Sequence, residues 1–212
     1  REGPDMSEPP PYPDGFFDRE DEQEDSVFYS VPRLVVHIDA STIDALTDAY
    51  RELLDEKNEV LDLMSSWVSH LPPEMSFPRV AGLGMNEAEL EQNPRLHEFA
   101  RQNLNLNPEL PFPDSSFDAV LNAVSIQYLV RPVEVFQSAA RILRPGGVHI
   151  IAFSHRCFPT KAIRGFRVLA PEERGRVVQT YFENAGGYEP PVFLDRSPHA
   201  GDPLWIVMAR RA

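Results

Sequence analysis

The chain has 212 residues, enough for one domain with a full core and a tail. Its net charge of -13 is uneven, since residues 1–26 hold ten acids against Arg1 and Arg19; that argues against nucleic acid as the main partner, because phosphate binding needs a basic face. The single cysteine, Cys157, excludes an intramolecular disulfide, and no apolar run reaches the roughly 20 residues of a membrane helix, so a cytoplasmic protein with no membrane partner is expected.

Residues 1–26 are rich in proline and acid and poor in aliphatic side chains, so they bury too little surface to offset the entropy of ordering. A flexible arm is expected there, pinned at most by Phe16 and Phe17, with the domain occupying 27–212. The arm has neither the apolar core of a signal peptide nor the basic character of a transit peptide. In the next stretch, Phe28 to Asp39, residues Tyr29, Arg33 and His37 recur at four-residue intervals. They would share one face of a helix, which Pro32 allows to begin no earlier than that point.

A helix is predicted from Ser41 or Thr42, with Ile43, Leu46, Tyr50, Leu53 and Leu54 on one face. Strands are predicted at Glu59 to Leu63 and Arg79 to Gly84. Between them Pro72 and Pro73 allow only a short helix over Ser65 to Leu71. Asn86 caps the next helix, and a short strand lies near Glu98 to Gln102. Phe117 to Leu121 reads as a buried strand. The stripe Val133, Phe136, Ala140, Leu143 marks a helix stopped by Pro145-Gly146-Gly147, and Val148 to Phe153 is the following strand. After a loop over Ser154 to Thr160, a helix from about Pro171 to Asn184 ends at Gly186-Gly187. Tyr188 to Leu194 and Pro203 to Ala209 close the chain as an antiparallel hairpin. The fold class is therefore α/β: a doubly wound, mostly parallel seven-stranded sheet with an antiparallel C-terminal hairpin.

Leu110-Pro-Phe-Pro-Asp-Ser-Ser-Phe-Asp-Ala-Val120 followed by Arg141-Ile-Leu-Arg-Pro-Gly-Gly147 resembles the second half of a class I S-adenosylmethionine-dependent methyltransferase of the type-11 kind. The resemblance runs from about Phe28 to the C-terminus. It implies S-adenosylmethionine as cofactor, S-adenosylhomocysteine as product, and a small-molecule methyl acceptor.

Ligands of such sheets bind beyond the carboxyl ends of the strands, which directs attention to five loops. In the family the first is a glycine-rich turn. Here Asp62 fits the pattern, but Met64-Ser65-Ser66 replace the glycines, offering hydroxyl groups in their place. Asp62 either accepts from the methionine ammonium group or holds loop N–H groups as a buried carboxylate. The family's acidic residue at the end of strand two is Gly84 in this chain. Met85 and Asn86 follow it, suited to pack on adenine and to replace part of the ribose grip, or else to fill core and cap a helix. In the third loop Asn103 and Leu104 stand where the adenine amino group is met. In the fourth, Asn122 and Ala123 fall near the cofactor, with Gln127 and Tyr128 toward the acceptor.

The fifth loop supplies His155 as a base near neutral pH, and Arg156 and Lys161 for an anionic substrate. Tyr29 and His37 are further proton acceptors or orienters, and Arg33 is placed to hold a carboxylate bidentately. No histidine spacing suggests a metal. Loss of both the glycine turn and the strand-two acid supports a different reading, a non-catalytic member of the fold serving as a nucleoside-binding or protein-interaction module. A nicotinamide-dependent oxidoreductase would need G-x-G-x-x-G after a strand, which is missing.

Overall fold

Short apolar runs bounded by turn residues become the strands of one sheet in the computed structural model, which describes residues 12–212. The strands are β1 Glu59–Leu63, β2 Arg79–Gly84, β3 Glu98–Arg101, β4 Phe117–Ala123, β5 Leu143–Phe153, β6 Val192–Asp195 and β7 Trp205–Arg210. Their order is β3-β2-β1-β4-β5-β7-β6. The first five pair in parallel, and β7 runs antiparallel to both β5 and β6, as the sequence pattern predicts. Strand order reverses between β1 and β4, which opens a crevice at their carboxyl ends.

Among the described residues the α-helices are α1 Asp25–Phe28, α2 Ala40–Leu53, α3 Glu87–Glu91, α4 Pro132–Ile142, α5 Arg164–Val168 and α6 Pro171–Ala185. The central strands are buried on both faces, so their side chains divide by alternation into two cores. Leu61, Leu63 and Val120 pack with Phe136 of α4 and Tyr181 and Phe182 of α6. Val60, Val80, Ala119 and Leu121 pack with Leu46 and Tyr50 of α2. Asp39 starts α2 by accepting from the Thr42 N–H at 2.9 Å. The helix α4 stops at Ile142, and the chain passes through Gly146, in the left-handed region at φ 79°, without leaving the sheet.

Three local expectations are corrected. The stretch Ser65 to Leu71 forms no helix. Tyr29, Arg33 and His37 share no helical face either, because α1 ends at Phe28 and the chain from Tyr29 to Asp39 is irregular. The short helix α5 lies between the loop ending at Thr160 and the helix from Pro171, where no element is predicted. Of the proline-rich arm, residues 1–11 lie outside the described residues, whereas 12–26 pack against the domain instead of forming a flexible tail. Phe16 is buried, against a glycine that leaves room for it: a Cβ at Gly165 would stand 2.3 Å from the ring. Tyr12, Phe16 and Phe17 pack on one another in tilted and edge-on contacts, and Tyr12 and Phe17 also lie tilted against Tyr181. The Arg164 and Gly165 N–H groups donate to the Asp18 and Phe16 carbonyls at 2.7 and 2.9 Å.

Lys161, fully buried, completes the attachment. Its ammonium pairs with Asp25 at 3.0 Å and Asp21 at 3.3 Å and donates to the Gln23 carbonyl at 2.9 Å. Entropy alone predicts a loose arm; an aromatic cluster and a buried cation overturn that balance. Removing the Phe16 ring leaves a cavity in this attachment, so Phe16→Ala should cost about 3–5 kcal/mol in urea unfolding. It should also admit protease between residues 12 and 30 under native conditions.

Candidate functional site

Four loops and the arm enclose one cavity at the carboxyl ends of β1, β2, β3 and β4. The loop after β1 contributes Met64, Ser65 and Ser66, and the loop after β2 contributes Met85 and Asn86 beside Gly84. Gln102 to Asn105 follow β3, and Val124, Ser125, Tyr128 and Leu129 follow β4. Asp25 and Tyr29 close the cavity from the arm, and Glu89 enters from α3. Ten residues singled out in the sequence therefore meet here: Tyr29, Met64, Ser65, Ser66, Gly84, Met85, Asn86, Asn103, Leu104 and Tyr128.

The β1 loop is built around Asp62. The carboxylate accepts from the Ser65 and Ser69 hydroxyls at 2.7 and 2.6 Å, and Asn93 donates to Ser69 Oγ at 2.8 Å. The Ser65 N–H donates to the Leu83 carbonyl at 2.7 Å, stitching the loop to the end of β2. Met64, at φ 56°, makes the turn in the left-handed region without a glycine. Gly84 is bare for a local reason, since a Cβ there would lie 2.4 Å from the Ser65 carbonyl oxygen. Asp62 thus stands behind the loop that lines the cavity, holding two serine hydroxyls where loop N–H groups were weighed.

Asn86 caps α3 by accepting from the Glu89 N–H at 3.1 Å, and its amide nitrogen donates to the Tyr29 carbonyl at 2.9 Å. Asn105 ties the arm to the β3 and β4 loops, donating to Asp25 and to the Tyr128 carbonyl at 3.0 and 2.9 Å. Two features of the wall are without local explanation. The Ser125 hydroxyl is buried and has no hydrogen-bond partner. Val124, a β-branched residue, is held at φ 53°, and strain of this kind gathers at functional sites.

A second, shallower cavity adjoins the first across Val124 and Tyr128, which line both. Its remaining wall is Val36, His37, His155, Arg156, Cys157, Phe158 and Pro159. The Tyr128 hydroxyl accepts from the Phe158 N–H at 2.7 Å, and the two rings stack. Desolvation pushes Tyr128 up to about 12 and raises Tyr29 as well. Desolvation lowers His37 below the ordinary histidine range. At neutral pH the phenols therefore keep their protons and the imidazole is neutral. Arg156 pairs with Asp202 at 2.7 Å, and His155 lies 3.7 Å from the same carboxylate.

The other residues chosen from the sequence go elsewhere. Asn122 is buried, with its amide 2.9 Å from His149 Nε2. Burial lowers His149 to about 3, so the ring is neutral. Tyr188 donates its proton to the Phe136 carbonyl at 2.7 Å, and its oxygen lies 3.1 Å from His149 Nδ1. The Asn122 atom against Nε2 is the amide oxygen, and the amide nitrogen is buried without a partner. Ala123 packs against the second core. Gln127 is buried and bonds the Val124 and Arg156 carbonyls. Lys161 holds the arm, and the Arg33 guanidinium lies 4.4 Å from the centre of the Phe28 ring. Apart from the Asn122 amide nitrogen, these polar groups are engaged within the chain, which spacing alone does not reveal. Ser125 and Glu89 were missed. Their signal is topological: one lies in the loop after β4, the other in the first turn after β2.

A family model described as a methyltransferase domain matches residues 69–151; the match begins beyond the glycine-poor turn. A demethylmenaquinone methyltransferase of Tropheryma whipplei (strain Twist) is 35% identical over 86 residues, and the match spans 36% of this chain and 36% of that relative. Among solved structures, an S-adenosylmethionine-dependent methyltransferase from Mesorhizobium loti is 18% identical. It covers 80% of this chain and 100% of its own, with a TM-score of 0.57. The [4+2]-cyclase SpnF is 16% identical over 79% of this chain and 80% of its own, with a TM-score of 0.59. At these identities the structures speak for the fold. Residues 69–151 are thus similar to a methyltransferase domain, and the fold is that of the solved structures named; the chain matches about a third of the length of its curated relative.

Burial pushes Asp62 up to about 6, against the two serine hydrogen bonds that lower it. Below about pH 4 the carboxyl is protonated in folded and unfolded chains alike and adds nothing. As pH rises to 6 the unfolded chain ionises first, so this residue subtracts stability, and above 6 the loss is constant. Asp62→Asn abolishes the titration. In urea unfolding the variant should gain about 2–3 kcal/mol on the parent between pH 4 and pH 7; a difference that stays flat would refute the buried-carboxylate account.

Proposed function

We propose that this class I methyltransferase-like chain is an S-adenosylmethionine-dependent methyltransferase acting on a small-molecule acceptor. The observation that carries the reading is one cavity at the switch point of the sheet, walled by all four strand-end loops. The matched family model and the relative from Tropheryma whipplei support it.

The residues present fit the nucleoside end of that cofactor. Met85, Leu104 and Leu129 are apolar surfaces for a purine, Asn103 carries an amide suited to a base edge, and the buried Ser125 hydroxyl lacks a partner that a ligand would supply. When bound, the cofactor supplies an electrophilic methyl group on a sulfonium. The chain's own part is to place an acceptor and remove its proton. The adjoining cavity provides the place: Val124 and Tyr128 separate it from the first, and Phe158 and Pro159 make an apolar floor. His37, neutral at working pH, takes the proton, and His155 stands at the same rim. Tyr128, on the wall of both cavities, holds its proton and orients the acceptor as a donor.

A second reading is favoured by the β1 loop. Its Ser65 N–H and hydroxyl are both turned to the protein, and no helix follows it to offer free N–H groups. A nucleoside-binding or interaction module without transfer chemistry would have that character.

Calorimetric titration with S-adenosylhomocysteine tests the cofactor site, and methyl transfer from S-adenosylmethionine then separates an enzyme from a nucleoside-binding module. Micromolar binding, weakened about five- to tenfold by Ser125→Ala as one neutral hydrogen bond is lost, is the expected result and justifies an acceptor screen. Absence of heat at millimolar ligand would sink the methyltransferase reading.

A further inference from the structure

We infer that Glu89 is the group of this cavity that recognises a vicinal diol, the ribose of the nucleoside; the inference rests on the reading above. Asn86 caps α3 through the Glu89 N–H, and the Glu89 side chain turns back into the cavity wall. Its carboxylate is fixed from two sides. Oε1 accepts from the Arg33 N–H at 2.6 Å and Oε2 from the Ser66 hydroxyl at 3.1 Å. An ionised carboxylate has about four lone-pair sites, so each oxygen keeps acceptor capacity toward the ligand. Two neighbouring oxygens held in this way match two hydroxyl donors on adjacent carbons, and both donors are satisfied at once.

The competing polar groups of the wall are already engaged. No side chain reaches in from Gly84, where the Ser65 carbonyl blocks a Cβ. Asn86 bonds Glu89 and the Tyr29 and Ser30 carbonyls with both ends of its amide. Asp25 is held by Arg19, Lys161 and Asn105. Among the described residues, Glu89 is the carboxylate on this cavity that no cationic side chain neutralises.

The test compares adenosine with 2′-deoxyadenosine and 3′-deoxyadenosine, by calorimetric titration or by displacement of S-adenosylhomocysteine. The intact protein should prefer adenosine to either deoxy compound by tenfold or more. Glu89→Gln keeps the side chain's shape and an acceptor for Arg33, so it should fold normally by thermal unfolding. It should bind adenosine about ten- to a hundredfold more weakly, as a charge-assisted bond is lost, and should bind all three nucleosides alike. Equal binding of the three by the intact protein overturns the assignment without any variant, and so does a variant that keeps the preference. A variant weakened for S-adenosylhomocysteine but unchanged for adenosine assigns the carboxylate to the ligand's ammonium end instead, which also overturns it. If no nucleoside binds the intact protein, the methyltransferase reading fails and this assignment with it.

Discussion

Burying the Asp62 carboxylate shapes most of the active end of this molecule. A carboxylate in the interior must be hydrogen-bonded or neutralised, and the nearest donors are hydroxyls of the chain that follows it. Ser65 and Ser69 fold inward to serve it, Asn93 braces Ser69 and the Ser66 carbonyl, and Pro72 and Pro73 forbid a helix just beyond. The crossover from β1 to β2 is consequently a tied loop where a doubly wound sheet ordinarily places a helix. Once the Ser65 carbonyl lies over the end of β2, position 84 has room for glycine alone. Ser66 is carried to within reach of Glu89. One desolvated acid thus determines a turn, a bare strand end and the setting of a second acid.

The arm closes the same cavity by a different physical route. Its acids would repel one another in an isolated tail. Folded, Asp25 faces Arg19, Lys161 and Asn105, and Asp21 faces Lys161. Lys161 is tolerated at full burial because two carboxylates and two carbonyls surround it. The attachment joins the arm to the β3 and β5 loops, and through Asn105 to the β4 loop. The cavity wall is therefore set by contacts between segments far apart in sequence.

That distance explains what the sequence made legible. Apolar alternation and helical spacing report a residue's own surroundings, so the strands, α2, α4 and α6 were readable, and the crossover implied a parallel sheet. The switch-point rule placed the first three loops on the cavity. Lys161 looked like a substrate-binding cation because its carboxylates lie some 140 positions earlier and no local pattern connects them. Asn122 looked like a cofactor contact because its partner, His149, stands on the next strand in the core. Arg33, read as a carboxylate clamp on a helix, instead gives its N–H to Glu89 and its guanidinium to the Phe28 ring.

Val124 and Tyr128 give the two cavities their relation. Both belong to the segment after β4, and both line each cavity. The Val124 N–H donates to the Ala152 carbonyl of β5 at 2.8 Å, and its backbone lies in the left-handed region despite the branched side chain. That conformation costs of order 1–3 kcal/mol and persists where the surroundings over-determine it. Tyr128 is fixed in turn by the Phe158 N–H and by stacking on the Phe158 ring. The partition is therefore rigid, anchored in β5 on one side and in the loop after it on the other. Val124 and Tyr128 thus form a two-residue wall between the cavities, with the neutral His37 imidazole on the outer one.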